Sequence, residues 1–163
     1  MSMPKRKDIR LKSYNYSSAG AYLLTVCTKK RIRYLWNDVG APIGRPQNEL
    51  LSRYGMIVDT AINKITEKYS AVSVDNYSIM PDHIHLLLVI HADEYGRPMV
   101  APTMSRVVQQ LKGYITKRIG CSIWQKSFHD HIIRNEHDYL EALKYIEHNP
   151  YKYIKDSDPI PFE

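Results

Sequence analysis

Two histidines stand one residue apart in Met80-Pro-Asp-His-Ile-His-Leu-Leu-Leu-Val-Ile-His, in a stretch apolar enough to be a strand. Strand side chains alternate between faces, so His83 and His85 point from one sheet surface and Ile84 from the other. Two imidazoles side by side can share a divalent metal ion, although the spacing alone also fits two unrelated surface histidines. The apolar surroundings argue for a partner, because a polar side chain in such a run costs free energy unless something satisfies it. His91 has the same parity but lies about 20 Å from His85 along an extended strand, too far to bind the same ion.

A second group of interest is near the C-terminus. Asn135 is placed to cap a helix from Glu136 to about His148, which Pro150 should end. Plotted at about 100° per residue, Tyr139, Leu140, Ala142, Leu143 and Ile146 form one apolar stripe. Tyr145 falls outside it, beside Glu141, and Asn149 follows one turn later on the same side. A phenol and an amide oxygen would then face whatever this helix packs on. His129-Asp-His131 is a competing histidine pair, with an acidic residue between its members.

The elements that must position these groups are legible from periodicity. Ala21 to Thr28 reads as a strand buried on both faces, and Trp36 to Gln47, with its glycines and prolines, as a loop. From Leu50 to Tyr69 the apolar residues follow helical spacing in one continuous run. Ala71 to Met80 and His83 to Ile90 form a hairpin around Met-Pro-Asp, and Ala92 to Pro102 leaves it as an exposed loop. Thr103 is an N-cap for a helix built on Met104, Val107, Val108, Leu111, Ile115 and Ile119, and Gly120 stops it. Ser127 to Arg134 reads as a fourth strand. The order is that of an α+β, ferredoxin-like (RRM-like) split β-α-β unit with an antiparallel sheet, its two helices on one face and an added C-terminal helix free to cover the other.

The 163 residues are expected to make one domain, 1–163, with 1–12 as a basic arm. Lys and Arg number 23 against 17 Asp and Glu, a net +6, which favours a phosphate-bearing partner. The excess is concentrated in Lys5, Arg6, Lys7, Arg10 and Lys12 and again in Lys29, Lys30, Arg31 and Arg33, although a basic run is often only a solvated arm. Cys27 and Cys121 have no metal or redox spacing and suit a reducing cytosol. No apolar stretch approaches the roughly 20 residues a membrane span needs, and no signal peptide is evident.

Met80-Pro-Asp-His-Ile-His-Leu-Leu resembles the His-hydrophobe-His motif of the HUH single-tyrosine transposases. Tyr145-Ile-Glu-His-Asn149-Pro150 resembles the Tyr-Ile-x-x-Asn-Pro signature of their REP-associated branch. Ala-Gly-Ala-Tyr-Leu-Leu-Thr-Val-Cys-Thr and Ile-Trp-Gln-Lys-Ser-Phe-His-Asp-His-Ile-Ile-Arg-Asn extend the similarity to roughly Arg10 to Asp156. Asp82 stands where Asn is commoner, and Tyr153 where a tryptophan is often found. The resemblance implies that His83, His85 and Asn149 bind a divalent metal (Mg2+ or Mn2+) and that Tyr145 is the nucleophile. It further implies a single strand folded into a hairpin as substrate, cleaved and rejoined through a 5′-phosphotyrosine by a monomer or homodimer. The expected location is the cytoplasm, at the nucleoid of a prokaryotic-type cell. His129 and His131 could contact DNA or support the site.

The chemistry fits those groups. Two imidazoles and an amide oxygen leave coordination positions open, as a catalytic metal requires. Tyrosine's ordinary pKa of about 10 means that its attack on phosphorus needs proton removal or electrostatic help, and the sequence identifies no base. Two other readings are a non-catalytic nucleic-acid-binding module, which would present aromatic residues rather than histidines on its sheet and lacks its RNP1 pattern here, and a metal-dependent phosphodiesterase with no covalent step.

Overall fold

The computed structural model describes residues 20–37, 50–91 and 104–156, with side chains described as far as Asn149. Four strands, β1 (Gly20–Cys27), β2 (Val72–Ile79), β3 (His83–Ile90) and β4 (His129–Ile133), form one antiparallel sheet in the order β2-β3-β1-β4. That order, with helical crossovers after β1 and β3, is the split β-α-β arrangement that the element order predicts. β1 and β3 occupy the centre and are the most apolar strands, as expected where both faces are covered.

Antiparallel register decides what shares a face. Cys27 pairs with His83, Thr25 with His85 and Leu23 with Leu87, so these odd-numbered residues point one way. Tyr22, Leu24, Val26, Ile84, Leu86, Leu88 and Ile90 point the other way, into the principal core. Helix α1 (Arg53–Asn63) and helix α3 (Met104–Ile119) cover that side with Val58, Ala61, Ile62, Val107, Val108, Leu111 and Ile115. The opposite face is covered by helix α4 (Glu136–Asp156), whose Ala142 and Ile146 are buried on Leu23 and Leu87.

Local sequence explains the helix ends. Ser52 caps α1 by accepting from the Gly55 N–H at 3.1 Å, while its own hydroxyl donates to the Tyr34 carbonyl at 2.6 Å. A side chain at position 55 would place Cβ 2.2 Å from the Leu35 carbonyl oxygen, so only glycine lets α1 lie this close to that segment. Gly120, at φ +102°, ends α3 in a conformation that favours glycine. Asn135 caps α4 as expected, its Oδ1 accepting from the Asp138 N–H at 2.8 Å.

Three expectations need correction. The run from Leu50 to Tyr69 is two helices, α1 and the single turn α2 (Ile65–Lys68), because the Lys64 N–H turns to the Ala61 carbonyl and tightens the spiral. Leu50 and Leu51 precede the cap, where Leu51 bridges to Trp36. Pro150 does not end the last helix, which continues to Asp156 and includes Tyr151 and Tyr153. A proline removes one hydrogen bond and crowds one carbonyl, at a cost of about 3 kcal/mol, but its fixed φ is itself helical and permits continuation. Leu140, assigned to the apolar stripe, is 48% exposed, and the buried line instead runs through Ala142, Ile146 and Asn149. The strands otherwise fall where expected, with β4 shorter than Ser127 to Arg134. Thr103, the basic arm and most of the two long loops lie outside the described residues.

Candidate active site

His83 and His85 stand on the face of β3 that α4 covers, 4% and 1% exposed, their ring centroids 4.7 Å apart and near edge-on at 76°. The Tyr145 ring approaches His85 from α4, with centroids 5.0 Å apart and planes at 69°. Asn149, one turn further along the same helix, is buried at 3% exposure. Tyr145 is half-buried and Glu141 exposed, so the off-stripe side of the helix carries the phenol to the histidine face.

The ring nitrogens are differentiated by their neighbours. His83 Nδ1 lies 2.7 Å from Asp82 Oδ1. Burial opposes ionisation of Asp82, but the hydrogen bond and charge of His83, joined by those of Arg31, outweigh it and hold the carboxyl below its usual value. An ionised Asp82 must accept, so Nδ1 of His83 carries a proton toward it, which leaves Nε2 to present a lone pair whenever the ring is neutral. Thr25 Oγ1 lies 3.0 Å from His85 Nδ1 and gives that nitrogen its partner. Burial, then the charges of His83 and Arg31, push the His85 pKa well below 6.5 against the opposing pull of Asp82, so the ring is neutral at physiological pH.

Two buried polar atoms here have no hydrogen-bond partner: His85 Nε2 and Asn149 Oδ1. Leaving such atoms unsatisfied costs about 1–3 kcal/mol each. With the His85 proton on Nδ1, where Thr25 Oγ1 can accept it, both atoms would present lone pairs, which a divalent cation held between them would satisfy. Two imidazole nitrogens and an amide oxygen suit such an ion and leave positions open. Among the described residues no group of three or more His, Cys, Asp or Glu is placed to hold a metal, and the Asn149 amide oxygen is a candidate third donor beside the two imidazoles.

The other candidates sort clearly. Tyr139 donates to the Asp75 carboxylate on the β2 edge, and that hydrogen bond, then burial, pushes its pKa up to about 12, which makes it a poor nucleophile. His129 is exposed opposite Thr25 on the same sheet face, two strands from His85. His131 is half-buried with Nε2 3.8 Å from Asp138 Oδ2 on the first turn of α4, a contact that helps seat that helix. Lys29, Lys30, Arg31 and Arg33 are exposed on the turn after β1. Lys5, Arg6, Lys7, Arg10 and Lys12 lie outside the described residues.

Sequence reasoning assigned Asp82 no role and missed Thr25, and it treated Arg31 as one basic residue among several. Arg31 Nε bonds Asp82 Oδ2 at 3.1 Å and its Nη2 lies 3.3 Å from His83 Nδ1, beside the histidine pair. The Asp-His adjacency was visible in the sequence, but the Arg31 contact depends on β1 and β3 being paired.

No family-level sequence profile matches the chain. It is 28% identical over 170 aligned positions to an uncharacterized protein of Haemophilus influenzae, covering 93% of this chain and 91% of that one. It is also 26% identical over 148 positions to an H. influenzae protein named "Putative REP-associated tyrosine transposase", covering 85% of this chain and 74% of the relative. Its fold matches a solved structure of a REP-associated tyrosine transposase bound to a REP hairpin, with a TM-score of 0.61 and 24% identity over 93% of this chain and 81% of that one. The named relatives are of the family that the two motifs resemble.

Proposed function

We propose that the chain is a transposase of the HUH single-tyrosine type, in its REP-associated branch, that cleaves and rejoins single-stranded DNA. The observation that carries this reading is the meeting of Tyr145 with His85 above two buried, partnerless donors, His85 Nε2 and Asn149 Oδ1. An RNA-binding sheet has no use for such atoms, and a phosphodiesterase that activates water has none for the phenol.

In this reading His83, His85 and Asn149 hold one Mg2+ or Mn2+ ion, which supplies positive charge to the phosphoryl oxygens when bound. Asp82 and Thr25 fix the two imidazoles so that both Nε2 lone pairs are available. Tyr145 Oη gives up its proton to water and attacks phosphorus, a Tyr–O–P bond forms, the P–O3′ bond breaks, and the departing 3′ oxygen takes a proton from water. The phosphotyrosine ester retains the energy of the broken bond, so a 3′ hydroxyl can reverse the step onto another strand without ATP.

Hairpin-forming DNA is the proposed substrate, a partner that the solved transposase complex also contains. A phenol fixed on a helix needs the scissile phosphate splayed into the site, which base pairing opposes, whereas a stem offers phosphates to be gripped by shape. The arm at 5–12 and Lys29, Lys30, Arg31 and Arg33 are assigned to that grip. The proposed active species is a monomer or homodimer of this single domain, working in the cytoplasm at the nucleoid.

The deciding experiment incubates the chain with Mn2+ and end-labelled hairpin DNA carrying an unpaired flank. A covalent adduct that survives denaturing electrophoresis and disappears in Tyr145→Phe is expected. Cleavage without an adduct would favour the phosphodiesterase, and binding without cleavage the non-catalytic module.

A further inference from the structure

On the turn after β1, Arg31 is tied to the histidine pair through Asp82. Its Nε bonds Asp82 Oδ2 at 3.1 Å, its Nη2 lies 3.3 Å from His83 Nδ1, and its side chain is nevertheless 49% exposed. The guanidinium therefore sits where buried histidines give way to solvent.

The backbone that delivers it is unusual. Lys30 and Arg31 both have φ of +54°, a left-handed conformation that side chains with a Cβ rarely adopt once, let alone in succession. Such geometry persists only where its surroundings over-determine it, and it tends to concentrate at functional sites. Here the turn is fastened to the same residue that holds the side chain: the Thr28 N–H donates to the Asp82 carbonyl at 3.0 Å, and the Thr28 hydroxyl lies 3.1 Å from that carbonyl and 2.8 Å from that of Ile32. The Arg31 N–H returns to the Thr28 carbonyl at 3.1 Å. Asp82 thus fixes Arg31 by main chain and side chain together while its other oxygen fixes His83.

The geometry points to Arg31 as a catalytic residue that grips the scissile phosphate, its guanidinium held by Asp82 so that it meets the phosphoryl oxygens beside the histidines. The chemistry favours arginine, whose planar, permanently charged guanidinium carries five donors and can bond protein and oxyanion together. Charge held in place before reaction is worth most where negative charge develops, as on the phosphoryl oxygens during attack. Lys29, Lys30 and Arg33 remain general contacts to the strand.

This assignment rests on the proposed Tyr145 reaction and is tested on the full chain with Mn2+ and the labelled hairpin, at DNA concentrations that saturate each variant. Arg31→Gln should slow adduct formation by about 100-fold, with the Mn2+ affinity within twofold of wild type. Arg31→Lys should recover little of the rate, because an ammonium lacks the fork. Lys64→Gln, an exposed lysine at the end of α1 on the far side of the sheet, should leave the rate unchanged. An Arg31→Gln rate within threefold of wild type would overturn the assignment, as would an equal loss in Lys64→Gln or a rate loss matched by lost Mn2+ affinity. A wild-type chain that forms no adduct sinks the transposase reading itself, and this assignment with it.

Discussion

Tyr145 on α4 stands edge-on to His85 on β3, ring centroids 5.0 Å apart, although the two residues belong to elements separated by α3 and β4. The contact exists because α4 buries Ala142 and Ile146 on Leu23 and Leu87, which lie on the same sheet face as the histidines. The packing of apolar residues that do no chemistry therefore positions those that can.

The first expectation follows from that contact. Tyr145→Phe keeps the ring and its packing, so the melting temperature should stay within about 3 °C of wild type, while the covalent DNA adduct is lost. An adduct that survives would transfer the role to Tyr151 or Tyr153, which share α4, since Tyr139 is engaged with Asp75.

Metal affinity should follow the donors. His83→Ala and His85→Ala are each expected to lower Mn2+ affinity by at least 10-fold and Asn149→Ala by less, an amide oxygen being the weaker ligand. Calorimetric titration measures all three. Unchanged affinity in both histidine variants would refute the site and bring His129 and His131 forward.

Acid should destabilise the metal-free fold through His85. Its pKa is depressed in the folded state, so the unfolded chain binds the proton more readily. The stability contributed by the neutral ring is complete above about pH 6.5, the unfolded value, and falls away as pH drops toward the folded value. Melting temperatures measured in EDTA from pH 8 to 5 should decline below about 6.5, with a shallower decline in His85→Leu. Identical slopes would show that another group, His131 foremost, carries the acid sensitivity.

Removal of residues 1–12 should lower hairpin affinity and flatten its salt dependence, because each phosphate contact releases counterion. Mn2+ binding should be unaffected. Duplex bound as tightly as hairpin at matched salt would argue for general DNA binding instead.

Gly55→Ala tests the fold away from the site. The new Cβ would meet the Leu35 carbonyl oxygen at 2.2 Å, and urea denaturation should show a loss of about 1–3 kcal/mol. A neutral effect would mean that the segment before α1 can shift.

How much of this was legible in the sequence depended on the range of the interaction. Alternation in β3 put His83 and His85 on one face, and helical spacing put Asn149 one turn above Tyr145, because both periods are properties of a single element. The element order yielded the split β-α-β sheet for the same reason. Local signals were weaker where one element's fate depended on another: the helical pattern ran through Lys64, where the chain breaks, and Pro150 read as a stop although α4 passes through it. Leu140 joined the apolar stripe on helical spacing and hydrophobicity, and only docking on the sheet decided that the buried line passes through Asn149. Thr25 beside His85 and Arg31 beside Asp82 and His83 were out of reach altogether, because hydrogen bonds between β1 and β3 bring them together from positions that neither periodicity nor composition relates.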